Sequence, residues 1–302
     1  QETQMNQATT NPTPMHTFFP ALQESKPAHS APLSPRERES ARLRALGEGA
    51  ASPSLSALAR CFDPISLKQM DAVALLNRTD TKFILTQAQL LQALAAVQQD
   101  YWMLSVQGQR FHHYRTLYFD TPEFKLYHLH VNGHLDRYKI RSREYTDSGL
   151  SFFEVKHKTS KGRTIKQRLT TPEPVTEITL QEKGWLTSVF PFQSLALEPK
   201  IWNTFTRLTL VSKRLNERVT LDVDLTFYTG TQGLYLGELA IAEVKMDAAH
   251  GGSAFLEQMR LQKIHSHGFS KYCIGVSMLV NQVKKNALKP KLLWIDRLTR
   301  GA

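Results

Sequence analysis

Apolar residues recur along this chain at two spacings. Over 65–76 and 86–98, Leu, Ala and Val return every three or four positions, the period of a helix with one buried face. Thr86 stands where an N-cap side chain would close the second of these helices. From 111 onward the texture changes to β-branched and aromatic residues, several stretches being broken by Gly or Pro clusters. This predicts strands over 111–119, 134–145, 151–158, 163–171, 203–211, 218–227 and 236–246. Helical spacing returns over 179–189, 253–264 and 269–284. Strands this dense and mostly successive predict an antiparallel sheet closed or nearly closed on itself, with helices around it.

The first 50 residues have a different composition. They hold six of the 14 prolines, with Ser, Thr, Gln and Ala between them and few large apolar groups. Such a segment buries too little surface to offset the entropy of ordering it, so 1–50 is expected to be a disordered tail, with room for one short helix over 35–46. One folded domain is expected over 51–285, and a C-terminal extension over 286–302.

Charge sharpens this picture. The 302 residues carry a formal charge of +11. The tail contributes none of it, because Lys26, Arg36, Arg38, Arg42 and Arg44 are balanced by Glu2, Glu24, Glu37, Glu39 and Glu48. A basic excess confined to a folded domain attracts a polyanion: nucleic acid, an anionic membrane surface or a phosphate compound. Two distant cysteines, Cys61 and Cys273, argue against a disulfide scaffold. No stretch has the roughly 18 uninterrupted apolar residues of a membrane helix. A soluble protein of the cytoplasm is the expectation.

Alternation along each strand shows which charges share a face. Lys139, Arg141 and Arg143 project together, as do Glu154, Lys156 and Lys158, and Lys166 and Arg168. In 218–225, Arg218, Thr220, Asp222 and Asp224 face one way, and Val219, Leu221, Val223 and Leu225 the other. Glu243 and Lys245 repeat the theme, and so do Arg78, Asp80 and Lys82. A sheet with one solvated face would also alternate, but an ordinary surface mixes signs, whereas these faces are mostly basic with single acids embedded among the cations. Cations with a few carboxylates suit a phosphate chain and a divalent metal: Arg and Lys neutralise phosphate oxygens, and carboxylates supply hard oxygen ligands. A closed barrel of about eight strands has an interior wide enough for a narrow ligand. His112, His113, His128, His130 and His134 lie along strand and turn with no Cys beside them, which reads as surface or rim rather than zinc.

These motifs resemble a known family. Arg78-Thr79-Asp80-Thr81-Lys82-Phe83, Leu117-Tyr118-Phe119-Asp120, Lys139-Ile140-Arg141-Ser142-Arg143, Phe153-Glu154-Val155-Lys156, Ile165-Lys166-Gln167-Arg168, Leu221-Asp222-Val223-Asp224-Leu225, Ala242-Glu243-Val244-Lys245 and Phe269-Ser270-Lys271-Tyr272 follow one another in the family's order. Together they resemble the polyphosphate polymerase domain of the vacuolar transporter chaperone (VTC), a triphosphate tunnel metalloenzyme of the CYTH-like superfamily. The resemblance implies an α+β fold, an eight-stranded antiparallel β-tunnel with flanking helices. It implies a metal-dependent enzyme that transfers the γ-phosphate of ATP to a growing polyphosphate chain.

By the same resemblance, Lys82, Arg141, Lys156, Lys166, Arg207, Arg218 and Lys271 would bind the triphosphate or product chain. Lys139 and Arg143 are near alternatives to Arg141, and Lys158, Arg168, Lys245 and Ser270 are further substrate contacts. Glu243 would be the main ligand for Mn²⁺ or Mg²⁺, with Glu154, Asp222 and Asp224 as other candidates. The expected partners are ATP and polyphosphate, not nucleic acid. Two departures stand out. Eukaryotic relatives add a helical phosphate-sensing domain and membrane helices, neither of which is expected here. Tunnel triphosphatases usually begin with Glu-x-Glu-x-Lys, where this chain has Arg78-x-Asp80-x-Lys82. A tunnel triphosphatase and a non-catalytic polyphosphate- or nucleic-acid-binding module remain as alternatives.

Overall fold

The computed structural model describes residues 54–71, 78–192, 196–247 and 252–300, all within the unit Pro53–Ala302. The expected tail over 1–50 and the helix over 35–46 lie outside the described residues, as does the end of the helix expected over 65–76. What precedes that end is a short strand β1 (Asp63–Ile65) and one helical turn α2 (Leu67–Asp71), after a first helix α1 (Leu55–Arg60).

The sheet follows. β2 (Arg78–Thr86) leads into helix α3 (Gln87–Val97), where Thr86 and Gln89 form a reciprocal capping box, as the Thr86 signal predicts. Next come β3 (Tyr101–Leu104), β4 (His112–Asp120), helix α4 (Lys125–Val131), β5 (Arg137–Tyr145), β6 (Leu150–Lys158) and β7 (Thr164–Thr171). Helix α5 (Leu180–Val189), capped by Thr179, leads to the long strands β8 (Glu198–Ser212) and β9 (Glu217–Thr229). The stretch expected as one strand over 236–246 divides into β10 (Gln232–Leu236) and β11 (Leu239–Asp247). Helices α6 (Ala254–Leu261), α7 (Lys271–Leu279) and α8 (Lys289–Arg300) close the chain, the first two capped by Ser253 and Ser270.

These strands form an eleven-stranded sheet rather than an eight-stranded one, but the main hydrogen-bonded path has eight: β2-β11-β9-β8-β4-β5-β6-β7. Off this path β3 pairs with β8, β1 with β3 and β10 with β9, and every neighbour pair on the path is antiparallel. The sheet curls. Lys156 on β6 feels the charges of Lys82 on β2 and Glu243 on β11, strands at the opposite end of the path. At about 4.8 Å per strand a flat sheet would hold them too far apart for that.

The outer face is covered twice. α1, α3 and α6 bury Phe83, Leu208, Leu210, Val219, Leu221, Ala242 and Val244. α5 buries Leu117, Ile140, Phe153 and Val155 over the other half. The polar positions of the same strands therefore point into the curl. At one end the inner face turns apolar and α7 packs on it, against Ile84, Ile201, Leu225, Phe227 and Ile241. The approach is close: a Cβ added at Gly275 would stand 2.5 Å from the Phe227 ring and 2.8 Å from Ile201. Only glycine fits that point of α7.

One register expectation fails, and the reason is local. Leu225 belongs to the cluster under α7, not to the outer-face cluster that holds Val219, Leu221 and Val223. The pairing of β8 with β9 shifts between Thr204 and Thr206, and Asp224 takes a left-handed φ of 54°. That bulge spends one residue and reverses the alternation after it.

Candidate functional site

Cross-strand register sets the inner face out in rows. Lys82 pairs with Glu243 across β2 and β11, and Glu243 with Thr220 on β9. Lys245 stands opposite both Asp80 and Arg218. Arg207 on β8 lies opposite Asp222 on β9 and His112 on β4. On β5, β6 and β7 one row reads Arg141–Glu154–Arg168, and the next reads Lys139–Lys156–Lys166.

Three carboxylates hold the cluster together. The Arg207 guanidinium grips Asp222 with both arms, Nε to Oδ1 at 2.6 Å and Nη2 to Oδ2 at 2.9 Å, while Lys271 from the first turn of α7 bonds Oδ2. Arg141 donates from Nε to Glu154 at 2.7 Å, and Lys166 reaches the other carboxylate oxygen. Lys82 bonds Glu243, with Lys245 at 3.7 Å. Burial alone would raise all three acids. Arg207 and Lys271 instead hold Asp222 far below the carboxylate range, and Arg141, Arg143 and Lys166 do the same for Glu154. Lys245 and Lys82 hold Glu243 down to about 2. All three are therefore charged at neutral pH.

The lysines show the reverse. Burial, reinforced by Arg141, Arg137 and Lys82, lowers Lys139 to about 8. Burial with Lys139, Arg141 and Lys82 lowers Lys156 to about 7. Lys166 and Lys271 come down to about 8 through burial, their carboxylate partners opposing the shift. Among the described residues Lys156 makes no ion pair, and Lys139 is held by the Ser270 hydroxyl at 2.9 Å. The chamber therefore carries more positive charge than its own acids balance.

Sequence reasoning passed over an aromatic floor beneath these cations. Tyr114 on β4 stacks on Phe205 of β8, centroids 5.0 Å apart and nearly parallel. Arg207 lies 5.1 Å over the Tyr114 ring, Lys271 4.3 Å over Phe205, and Arg143 5.6 Å over Tyr114. Tyr118 of β4 stands directly opposite Arg141 of β5. Aromatic residues in strands read as core, so only the pairing of β4 with β8 exposes this arrangement.

Register and contacts bring together Lys82, Lys139, Arg141, Arg143, Lys156, Lys166, Arg207, Ser270 and Lys271 with Glu154, Asp222 and Glu243. Arg218 stays on this face at its margin, Nη2 bonding the Met70 carbonyl at 2.9 Å. Lys245 is beside Glu243, and Arg168 lies 5.0 Å over the Phe152 ring. Lys158 is exposed at the end of β6. Asp224 is not part of the cluster: the bulge leaves it exposed, accepting from the Tyr235 hydroxyl at 3.2 Å. The side chain of Arg78 lies outside the described residues.

The described residues contain no group of three His, Cys, Asp or Glu side chains poised for a metal. The donor chemistry still fits a magnesium-like ion. Such ions commonly take one or two carboxylates and complete their shell with substrate phosphates and water. Glu243, whose ion pairs among the described residues are with Lys82 and Lys245 and not with a guanidinium, is the best placed of the four carboxylates. Asp224 does not fit.

The VTC domain model matches residues 77–280, more than half of the chain. The chain belongs to the VTC domain family. Among solved structures it is similar to a putative adenylyl cyclase from Hippeastrum described as having a dominant triphosphatase activity, at 16% identity, covering 67% of this chain and 97% of that one with a TM-score of 0.43. It is also similar to a putative adenylate cyclase from Vibrio parahaemolyticus (13% identity, 66% and 97% covered, TM-score 0.37) and a conserved hypothetical protein from Pyrococcus furiosus (9%, 65% and 99%, 0.35). Likenesses this distant say nothing about substrate. No curated protein matches. The VTC domain of this chain is an antiparallel sheet with a basic inner face, and none of its described helices is long and apolar enough to cross a membrane.

Proposed function

We propose that this VTC domain is a metal-dependent polyphosphate polymerase that transfers the γ-phosphate of ATP to a growing chain. The observation that carries the reading is the row Lys139–Lys156–Lys166, three like charges placed directly opposite one another on adjacent strands. Like charges in that position destabilise a sheet, and burial adds to the cost. A bound polyanion removes both penalties.

The residues divide by task. Lys82, Lys139, Arg141, Lys156, Lys166, Arg207, Arg218 and Lys271 bind non-bridging phosphate oxygens and hold ATP in line with the chain end. Arg143, Arg168, Lys245 and Ser270 support them at the margins. Positioning and charge stabilisation do most of the work in phosphoryl transfer, so no nucleophilic side chain is required. The terminal oxygen of the chain bonds to the γ-phosphorus, and the bond from that phosphorus to the β–γ bridging oxygen breaks. ADP leaves, and the chain is one phosphate longer. Glu243, with Glu154 and Asp222 behind it, would hold Mn²⁺ or Mg²⁺, which when bound neutralises charge on the phosphate oxygens.

Incubation with ATP and Mn²⁺ or Mg²⁺, followed by separation of long-chain polyphosphate from free phosphate, tests this. Chain product is expected. Free phosphate alone would make the chain a tunnel triphosphatase, and neither product would leave a binding module.

A further inference from the structure

The cations do not stop at the chamber. Arg137 precedes Lys139 by two residues on β5 and so shares its face. The Lys139 ammonium donates to Ser270, the N-cap of α7. Two residues before Ser270, the Gly268 carbonyl accepts from Lys291. Lys291 belongs to α8, which lies beyond the family match ending at residue 280. The segment 268–270 therefore ties two ammonium groups from different elements to one place.

This arrangement is built rather than incidental. α8 is anchored by Ile295, fully buried, and by Leu292 and Leu298 in the cluster under α7. Trp294 of α8 lies against His267, centroids 4.4 Å apart, and the His267 amide bonds the Lys82 carbonyl at 2.8 Å. The far side is closed by α4. Arg137 donates to the His134 carbonyl at 2.7 Å, and the half-buried His130 ring feels the charges of Lys139, Arg137, Lys291 and Lys156 together. With burial, they hold that imidazole neutral down to about pH 3. Among the described residues no ion pair joins an acid to Arg137, Lys139 or Lys291.

We propose that Arg137, Lys139 and Lys291, gathered around His130 where α4, β5 and α8 meet, form a second phosphate station that grips a polyphosphate chain between the chamber and solvent. This rests on the polyphosphate reading above, and it deepens it: the ligand is a linear chain longer than the triphosphate the chamber itself holds. Lys291 contributes because α8 delivers it, so a VTC chamber without this helix would lack the grip.

The station and the chamber separate by ligand length. Affinity for tripolyphosphate and for a long-chain polyphosphate is measured on the full chain, the Lys291→Ala and Arg137→Ala double variant, and Lys291→Arg. Loss of two charge-assisted contacts should weaken long-chain binding about tenfold or more, while tripolyphosphate affinity and the melting temperature move far less. Lys291→Arg should retain the long-chain affinity. Equal losses for both ligands, or undiminished long-chain binding by the double variant, would overturn the station. ATP-dependent chain synthesis by the parent is scored separately. A parent that makes no chain but loses long-chain binding in the double variant refutes the polymerase and keeps the station. A parent that makes chain while the double variant binds it as before does the opposite.

Discussion

Two neighbouring rows of the same three strands differ by one residue in the middle. Across β5, β6 and β7, Arg141–Glu154–Arg168 has a carboxylate at its centre, and Lys139–Lys156–Lys166 has an ammonium there. The first row has its own carboxylate: Glu154 is fully buried, engages Arg141 of that row and Lys166 of the next, and stays charged. The second is incomplete, with Lys156 pushed down to about 7 by burial and by its neighbours. On the proposed reading, the contrast separates the part of the inner face that holds the fold together from the part that takes the ligand.

Variants on the two rows should change opposite properties. Glu154→Ala strands Arg141 and Lys166 as uncompensated buried charges, and should cost about 3–5 kcal/mol of stability in urea denaturation. If it cost nothing, the Glu154 row would not be structural. Lys156→Ala removes a charge that the free protein holds at a penalty. Tripolyphosphate affinity should drop about tenfold or more by calorimetry, with stability unchanged or improved.

The pH dependence follows from the same lysines. Folded Lys156 and Lys139 lose their protons near 7 and 8, while unfolded lysines keep theirs to about 10.5. Between about pH 7 and 9 the unfolded state binds more protons, so the ligand-free protein should become more stable as pH rises. Phosphate affinity should fall over the same interval as the ammonium groups discharge. Thermal melts and tripolyphosphate titrations across this window check both signs. The smallest effect is expected at Asp224, exposed on its bulge: Asp224→Asn should leave polyphosphate synthesis within about twofold, since surface changes away from a site move little.

Much of this was legible in the sequence, because strand alternation transfers directly to the two faces of a curled sheet. Lys82, Arg141, Lys156, Lys166, Glu154, Asp222 and Glu243 reach the inner face by the period of two alone. The same rule misplaced Leu225 and Asp224, since a single left-handed residue resets the alternation and nothing in Asp222-Val223-Asp224 announces it. Tyr114 and Phe205 were invisible as a site because their role depends on which strands pair. Lys291 lay in a stretch that read only as an extension; what matters is the docking of α8 against His267, a contact between distant segments. Cross-strand order, too, could not be read from spacing: that Lys139, Lys156 and Lys166 form one row is a property of register.

The most direct test is the proton balance of phosphate binding. Tripolyphosphate is titrated at about pH 8 into the parent and into Lys156→Ala, in buffers of different ionisation enthalpy. If the lysine row is the phosphate site, binding restores the ammonium of Lys156 and the parent takes up more protons than the variant. Equal proton uptake with equal affinity in the two proteins would contradict the account.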